Sequence, residues 1–140
     1  DPQHARSGRP DQTFRTSAAW RAAHGSLRIT LVRGKPDQHA GDPPAALDIG
    51  CTDDPLVIGP FIGVHDPEPH PGGYVLAGHL HPCVTVRGRG RLSARLPAFV
   101  FGATVGILPA FSSFTGGGMY ERDSGDRVYG VAGSEVLALV

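Results

Sequence analysis

The apolar positions follow one period early in the chain and another later. From Thr13 to His24, "TFRTSAAWRAAH" spaces Phe14, Ala18 and Ala22 four residues apart with Trp20 between, and Gly25 follows as a stop signal. This pattern predicts one amphipathic helix. "LRITLV", Leu27 to Val32, is a β-rich run that predicts a buried strand feeding "RGKPDQHAGDPP", where Gly, Pro and Asp leave no regular structure. Strand candidates then crowd together at Leu56–Ile62, Tyr74–Ala77, Val84–Arg91, Arg95–Phe101, Thr104–Leu108, Arg127–Val131 and Val136–Val140. The expectation is a single α/β domain over residues 1–140, helical first and strand-rich in its C-terminal half, without internal repeats.

Composition agrees with many short strands. The 140 residues include 20 Gly and 13 Pro, scattered between the apolar runs as turn residues are. Net charge is zero, so no global field draws the chain to nucleic acid or membrane, and any such partner must be met locally. Of the 13 basic residues only Lys35 is not Arg, a bias that suits bidentate phosphate contact and that genomic codon usage also produces. Cys51 and Cys83 lack zinc-type spacing and read as reduced thiols. No run reaches the roughly 18 apolar residues of a membrane span and no signal-peptide pattern opens the sequence, so the expectation is a cytoplasmic protein with no membrane partner.

The candidate chemistry lies in "GYVLAGHLHPCVTVRGRG", Gly73 to Gly90. In an extended segment His79 and His81 project to one face, where neutral imidazoles can serve zinc, manganese, iron or nickel; as a bare spacing the pair can equally be structural. His65 lies at another strand-to-loop exit, and Asp1, Asp37 and His39 lie in loop-like segments near predicted strand ends. The carboxyl ends of strands are where α/β sheets place their sites. Arg87, Arg89 and Arg91 would share one strand face over about 13 Å at about 3.3 Å per residue, comparable with two phosphate steps, or form a plain solvated face.

Taken together, "AWRAAH", "LVRGKPDQHAGDPP", "GPFIGVHDPEP", "GGYVLAGHLHP", "VRGRGR", "LPAFSSFTGG" and "GDRVYGVAG" resemble the calcineurin-like metallophosphoesterase superfamily and, within it, the bacterial ligase-associated DNA damage response endonucleases. The resemblance implies a metallophosphoesterase β-sandwich flanked by helices, a hydrolase acting on phosphodiesters in DNA repair, and two divalent ions of manganese or zinc type. It implies that His65 is a separate ligand, that His79 serves one ion and His81 the other, and that Asp1 bridges both. DNA phosphates and a DNA ligase are the partners it suggests.

Two departures limit that expectation. Where the superfamily has G-N-H-D, this sequence reads Gly34, Lys35, Pro36, Asp37, so a cation replaces the ligating Asn and Pro replaces the His that assists the phosphate oxygen. The D-x-H motif has no counterpart, and the sequence reads as the carboxyl-terminal part of the domain, lacking an inner strand. The expectation is one ion or none, impaired catalysis with no catalytic residue assigned, and self-association through exposed sheet. The alternative is a non-catalytic domain that binds DNA or a partner. A cupin-like barrel is more remote: Gly73 and His79-x-His81 match the start of its first motif, but Thr85 and Val86 stand where its Glu should be.

Overall fold

A computed structural model of the chain describes residues 12–34, 41–53, 55–88, 92–111, 116–121 and 123–139. It falls into two compact units, Asp1–Asp53 and Asp54–Val140.

In the first unit, helix α1 (Gln12–Ala23) precedes a parallel pair, β1 (Ile29–Val32) and β2 (Ile49–Thr52), registered Ile29 to Ile49. At its C-terminal end the helix does not bury the apolar positions the spacing suggested. Trp20 is 48% exposed and Ala22 is also exposed, whereas Arg21 is buried. The reason is hydrogen bonding. Arg21 donates from Nε to the Leu47 carbonyl (2.8 Å), from Nη1 to the His24 carbonyl (2.7 Å) and from Nη2 to Asp48 Oδ2 (2.9 Å). A buried guanidinium is tolerated when its donors are satisfied, and a cation in the last helical turn also suits the helix dipole. Arg21 thereby ties the helix end to the short 3-10 turn Ala45–Leu47 that leads into β2. At the far end of β1, Arg33 grips Asp42 with two bonds of 2.7 and 2.8 Å and reaches Asp53 at 3.1 Å, joining the exits of both strands to the intervening loop. The bond to Arg33 holds the Asp42 carboxyl below the usual carboxylate range.

The second unit is a nine-stranded mixed sheet. The run expected as one strand, Leu56–Ile62, is a hairpin of β3 (Leu56–Ile58) and β4 (Phe61–Val64). Gly59 and Pro60 form the two-residue connection, with Gly59 at φ 58 in the position where such turns require a left-handed residue. β4 runs parallel to β5 (Tyr74–Ala77), which runs parallel to β8 (Val105–Ile107). Antiparallel pairing continues the sheet through β7 (Ser93–Phe101), β10 (Arg127–Ala132) and β11 (Glu135–Ala138).

β7 serves two neighbourhoods. Its first half pairs with β6 (Pro82–Arg87), which also pairs with β9 (Gly118–Met119), and its second half pairs with β8 and β10. Pro97 stands where the pairing changes, a position that suits a residue without an N–H. The α/β class with a strand-rich later part is as expected from the sequence. β2 and β9 were not, because "DIGCT" and "GGM" carry too few β-forming residues to stand out.

One face of the sheet carries the core. Ala98, Val100, Ile107 and Val128 form one buried cluster and Ile62, Val75 and Ala77 a second, with Val105 packed against both. Each fully buried Val or Ile contributes about 1.5–3 kcal/mol. The opposite face presents Phe61, Tyr74, Leu76, Phe99, Phe101 and Tyr129 around an open recess.

Gly73 sets the approach of β5 to β4: a Cβ there would stand 2.5 Å from the Pro60 carbonyl oxygen, which accepts the Tyr74 N–H at 3.0 Å. Gly73→Ala is expected to destabilise the second unit by about 1–3 kcal/mol, because the neighbour it meets is backbone and cannot rotate away. Urea unfolding followed by Tyr fluorescence should show a lowered midpoint; an unchanged midpoint would contradict this account.

Candidate metal centre

His65 and Asp66 follow the end of β4, and His79 stands two residues past the end of the adjacent parallel strand β5. Parallel neighbours emit their chains from the same edge, so segments distant in sequence meet there. The His79 N–H donates to the His65 carbonyl at 3.2 Å, fixing the two exits against each other. The imidazoles then face one another: His79 Nδ1 lies 2.8 Å from His65 Nε2, with ring centroids 4.7 Å apart and planes inclined by 53°. Asp66 Oδ1 approaches the other nitrogen of His79, Nε2, at 3.8 Å.

These three residues offer two imidazole nitrogens and a carboxylate oxygen, all within 4.8 Å of one another. Two nitrogens about 2.0–2.1 Å from a shared ion stand about 2.9–3.4 Å apart for bond angles of about 90–109°, so the His65–His79 separation needs only a small adjustment. Mixed imidazole and carboxylate donors suit zinc or manganese. The donor set therefore fits a divalent cation. Side-chain exposures of 43% for His79 and 46% for Asp66 leave the site open to solvent.

The structure distributes the sequence-predicted residues unevenly. His65 and His79 are brought together. His81 stands outside the three-residue group, because Gly78–His81 is a turn and not the extended segment that alternation assumed. His81 takes a left-handed backbone (φ 46), and its carbonyl accepts the Gly118 N–H at 3.0 Å, anchoring the turn that leads into β6. A left-handed non-glycine residue before a proline is uncommon and requires such support. Asp1, Lys35, Pro36, Asp37 and His39 lie outside the described residues. β6 ends at Arg87 and not at Arg91 as expected, since Gly88 N–H closes on the Leu92 carbonyl (2.9 Å) and Arg87 pairs with Ser93 at the start of β7. Arg87 is exposed; Arg89 and Arg91 lie outside the described residues. Asp66 was missed by sequence reasoning, although its place directly after His65 at a strand exit was a usable signal.

A groove of about 710 Å³ is lined by Pro67 and Leu80, neighbours in sequence of Asp66 and His79, and by Thr104, Tyr120, Asp126 and Arg127. Tyr120 donates its hydroxyl to Asp126 Oδ2 at 2.9 Å, and burial, aided by that carboxylate, pushes its phenol up to about 12. It remains a donor throughout the neutral range.

A mixed sheet with imidazole and carboxylate donors gathered past its parallel strands defines an α/β protein with a candidate cation site at its strand ends. Among solved structures, the chain is similar to the Pseudomonas putida nuclease MPE, with 42% sequence identity and a TM-score of 0.78 over 96% of this chain. The chain spans 66% of the length of that nuclease. No family model matches the chain, and no curated protein matches it.

Calorimetric titration with manganese or zinc is expected to show one site per chain that His65→Ala or His79→Ala weakens at least about 100-fold, since each removes one of the two imidazole donors. His24→Ala should leave the titration unchanged. Equal affinity in all four proteins would dismiss this centre.

Proposed function

We propose that this chain is part of a divalent-metal nuclease that hydrolyses phosphodiester bonds, with His65 and His79 as metal ligands. The observation that carries this reading is the paired imidazoles at adjacent strand exits, in a chain 42% identical to a nuclease over nearly its whole length. When bound, a divalent cation supplies Lewis-acid polarisation of the phosphate and activation of water. His65 and His79 hold the cation at the sheet edge, and the open side admits a phosphodiester. The metallophosphoesterase resemblance adds His81 as ligand of a second ion and Asp1 as a bridge, and it supports a DNA-repair role beside a DNA ligase.

Lys35 and Pro36 favour a second reading, a domain that binds nucleic acid with little or no cleavage. A lysine ammonium in place of a ligand opposes a dication, and proline neither ligates nor transfers a proton. Incubating the chain with single- and double-stranded DNA and manganese separates the two. Cleavage that EDTA abolishes and His79→Ala lowers at least about 100-fold supports the nuclease reading. Binding without any cleavage supports the second, and neither binding nor cleavage overturns both.

Arg87, with Arg89 and Arg91 following it in sequence, is the proposed contact to the phosphate backbone. Replacing all three with alanine should reduce the slope of log affinity against log salt by up to about 0.9 per lost duplex-phosphate contact. An unchanged slope would mark these arginines as a solvated surface.

A further inference from the structure

We propose that Asp66 is a positioning residue for the metal centre: it accepts a hydrogen bond from His79 Nε2 and so commits Nδ1 of that ring to the cation. This rests on the metal-centre reading above. An imidazole binds one ion through one nitrogen, and the bond made by the other nitrogen selects the tautomer. In this site the two nitrogens of His79 face different partners. Nδ1 meets His65 Nε2 at 2.8 Å, so an ion shared by the two histidines lies on the Nδ1 side. Nε2 meets Asp66 Oδ1 at 3.8 Å, beyond hydrogen-bond reach but within a modest side-chain movement of it. Binding through Nδ1 places the ring proton on Nε2, and a carboxylate is the acceptor that raises the ligand strength of such a ring.

The placement of Asp66 follows from its neighbours. It is adjacent in sequence to His65, and His65 is joined to His79 through the backbone bond at 3.2 Å, so the ligand and the orienting carboxylate are set by the same strand exit. Both side chains are about half exposed, so solvent screens their attraction; the function of the contact is orientation. This arrangement differs from a three-ligand site in which Asp66 itself binds the ion. In that site Asp66→Ala would cost as much as the loss of either histidine.

Two measurements test the assignment on the whole chain. Zinc titration of the parent, Asp66→Ala, Asp66→Asn and Asp66→Glu is compared with that of His65→Ala. The expected result is a loss of about 10–100-fold for the Ala and Asn variants, clearly smaller than that of His65→Ala, with partial recovery in the Glu variant. Long-range proton–nitrogen NMR of the zinc-loaded parent should show His79 metallated at Nδ1 and protonated at Nε2, and Asp66→Ala should broaden or mix that pattern. Zinc bound to His79 through Nε2, an Asp66→Ala loss equal to that of His65→Ala, or unchanged affinity and tautomer in Asp66→Ala would each overturn the positioning role while leaving the metal centre standing. A parent chain that binds no zinc would overturn the centre and Asp66's role together.

Discussion

The parallel pairing of β4 with β5 is the constraint on which the candidate site depends. Register Phe61 to Tyr74 and Val64 to Ala77 places the two strand exits side by side, and Gly73 permits the approach because no Cβ can fit against the Pro60 carbonyl. The buried Ile62 and Val75, paired with each other, hold the middle of that strand pair in the core. The rigid part of the sheet lies beneath the site, and the donors sit on the short segments just beyond it. That division suits a site whose geometry must be fixed while its open side receives a large substrate.

Charge is used locally throughout this protein. The chain is neutral overall, and several of its arginines are committed to structure: Arg21 closes a helix end and Arg33 joins two strand exits to a loop. Arg87 is placed differently, exposed at the end of β6 where the chain turns towards Leu92. An anionic partner would meet charge presented by loops at strand ends and not a field from the whole molecule.

The likeness to a nuclease and the altered Gly34–Asp37 segment pull the functional reading in different directions. The proposed metal ligation at His65 and His79 draws on the β4 and β5 exits, within the second unit, and on no residue of the segment where Lys35 and Pro36 stand. In the proposed function, cation binding and catalytic turnover are therefore separable. In that reading the first rests on the two facing imidazoles, and the second on the groups that the metallophosphoesterase resemblance expects where Lys35 and Pro36 stand.

Apolar runs and turn residues in the sequence were sufficient for the α/β class and for most of the strands in the later half, because these depend on local preference and on which positions avoid water; α1 was legible as a helix but not in the face it buries. His65 and His79 were legible for the same reason, as polar donors at the ends of apolar runs. The division of Leu56–Ile62 into a hairpin was readable in "GP" but outweighed by the apolar run around it. The meeting of His65 with His79 was implied by the metallophosphoesterase resemblance and not by residue spacing, since it depends on which strands become parallel neighbours, and a turn at Gly78–His81 replaces the extended segment that alternation assumed. Arg21 was hidden for a similar reason: its burial depends on the Leu47 carbonyl and the Asp48 carboxylate, distant in sequence, joining the nearby His24 carbonyl around the guanidinium. Local preference writes the elements into the sequence, whereas contacts between residues far apart along the chain exist only once the strands have chosen their neighbours.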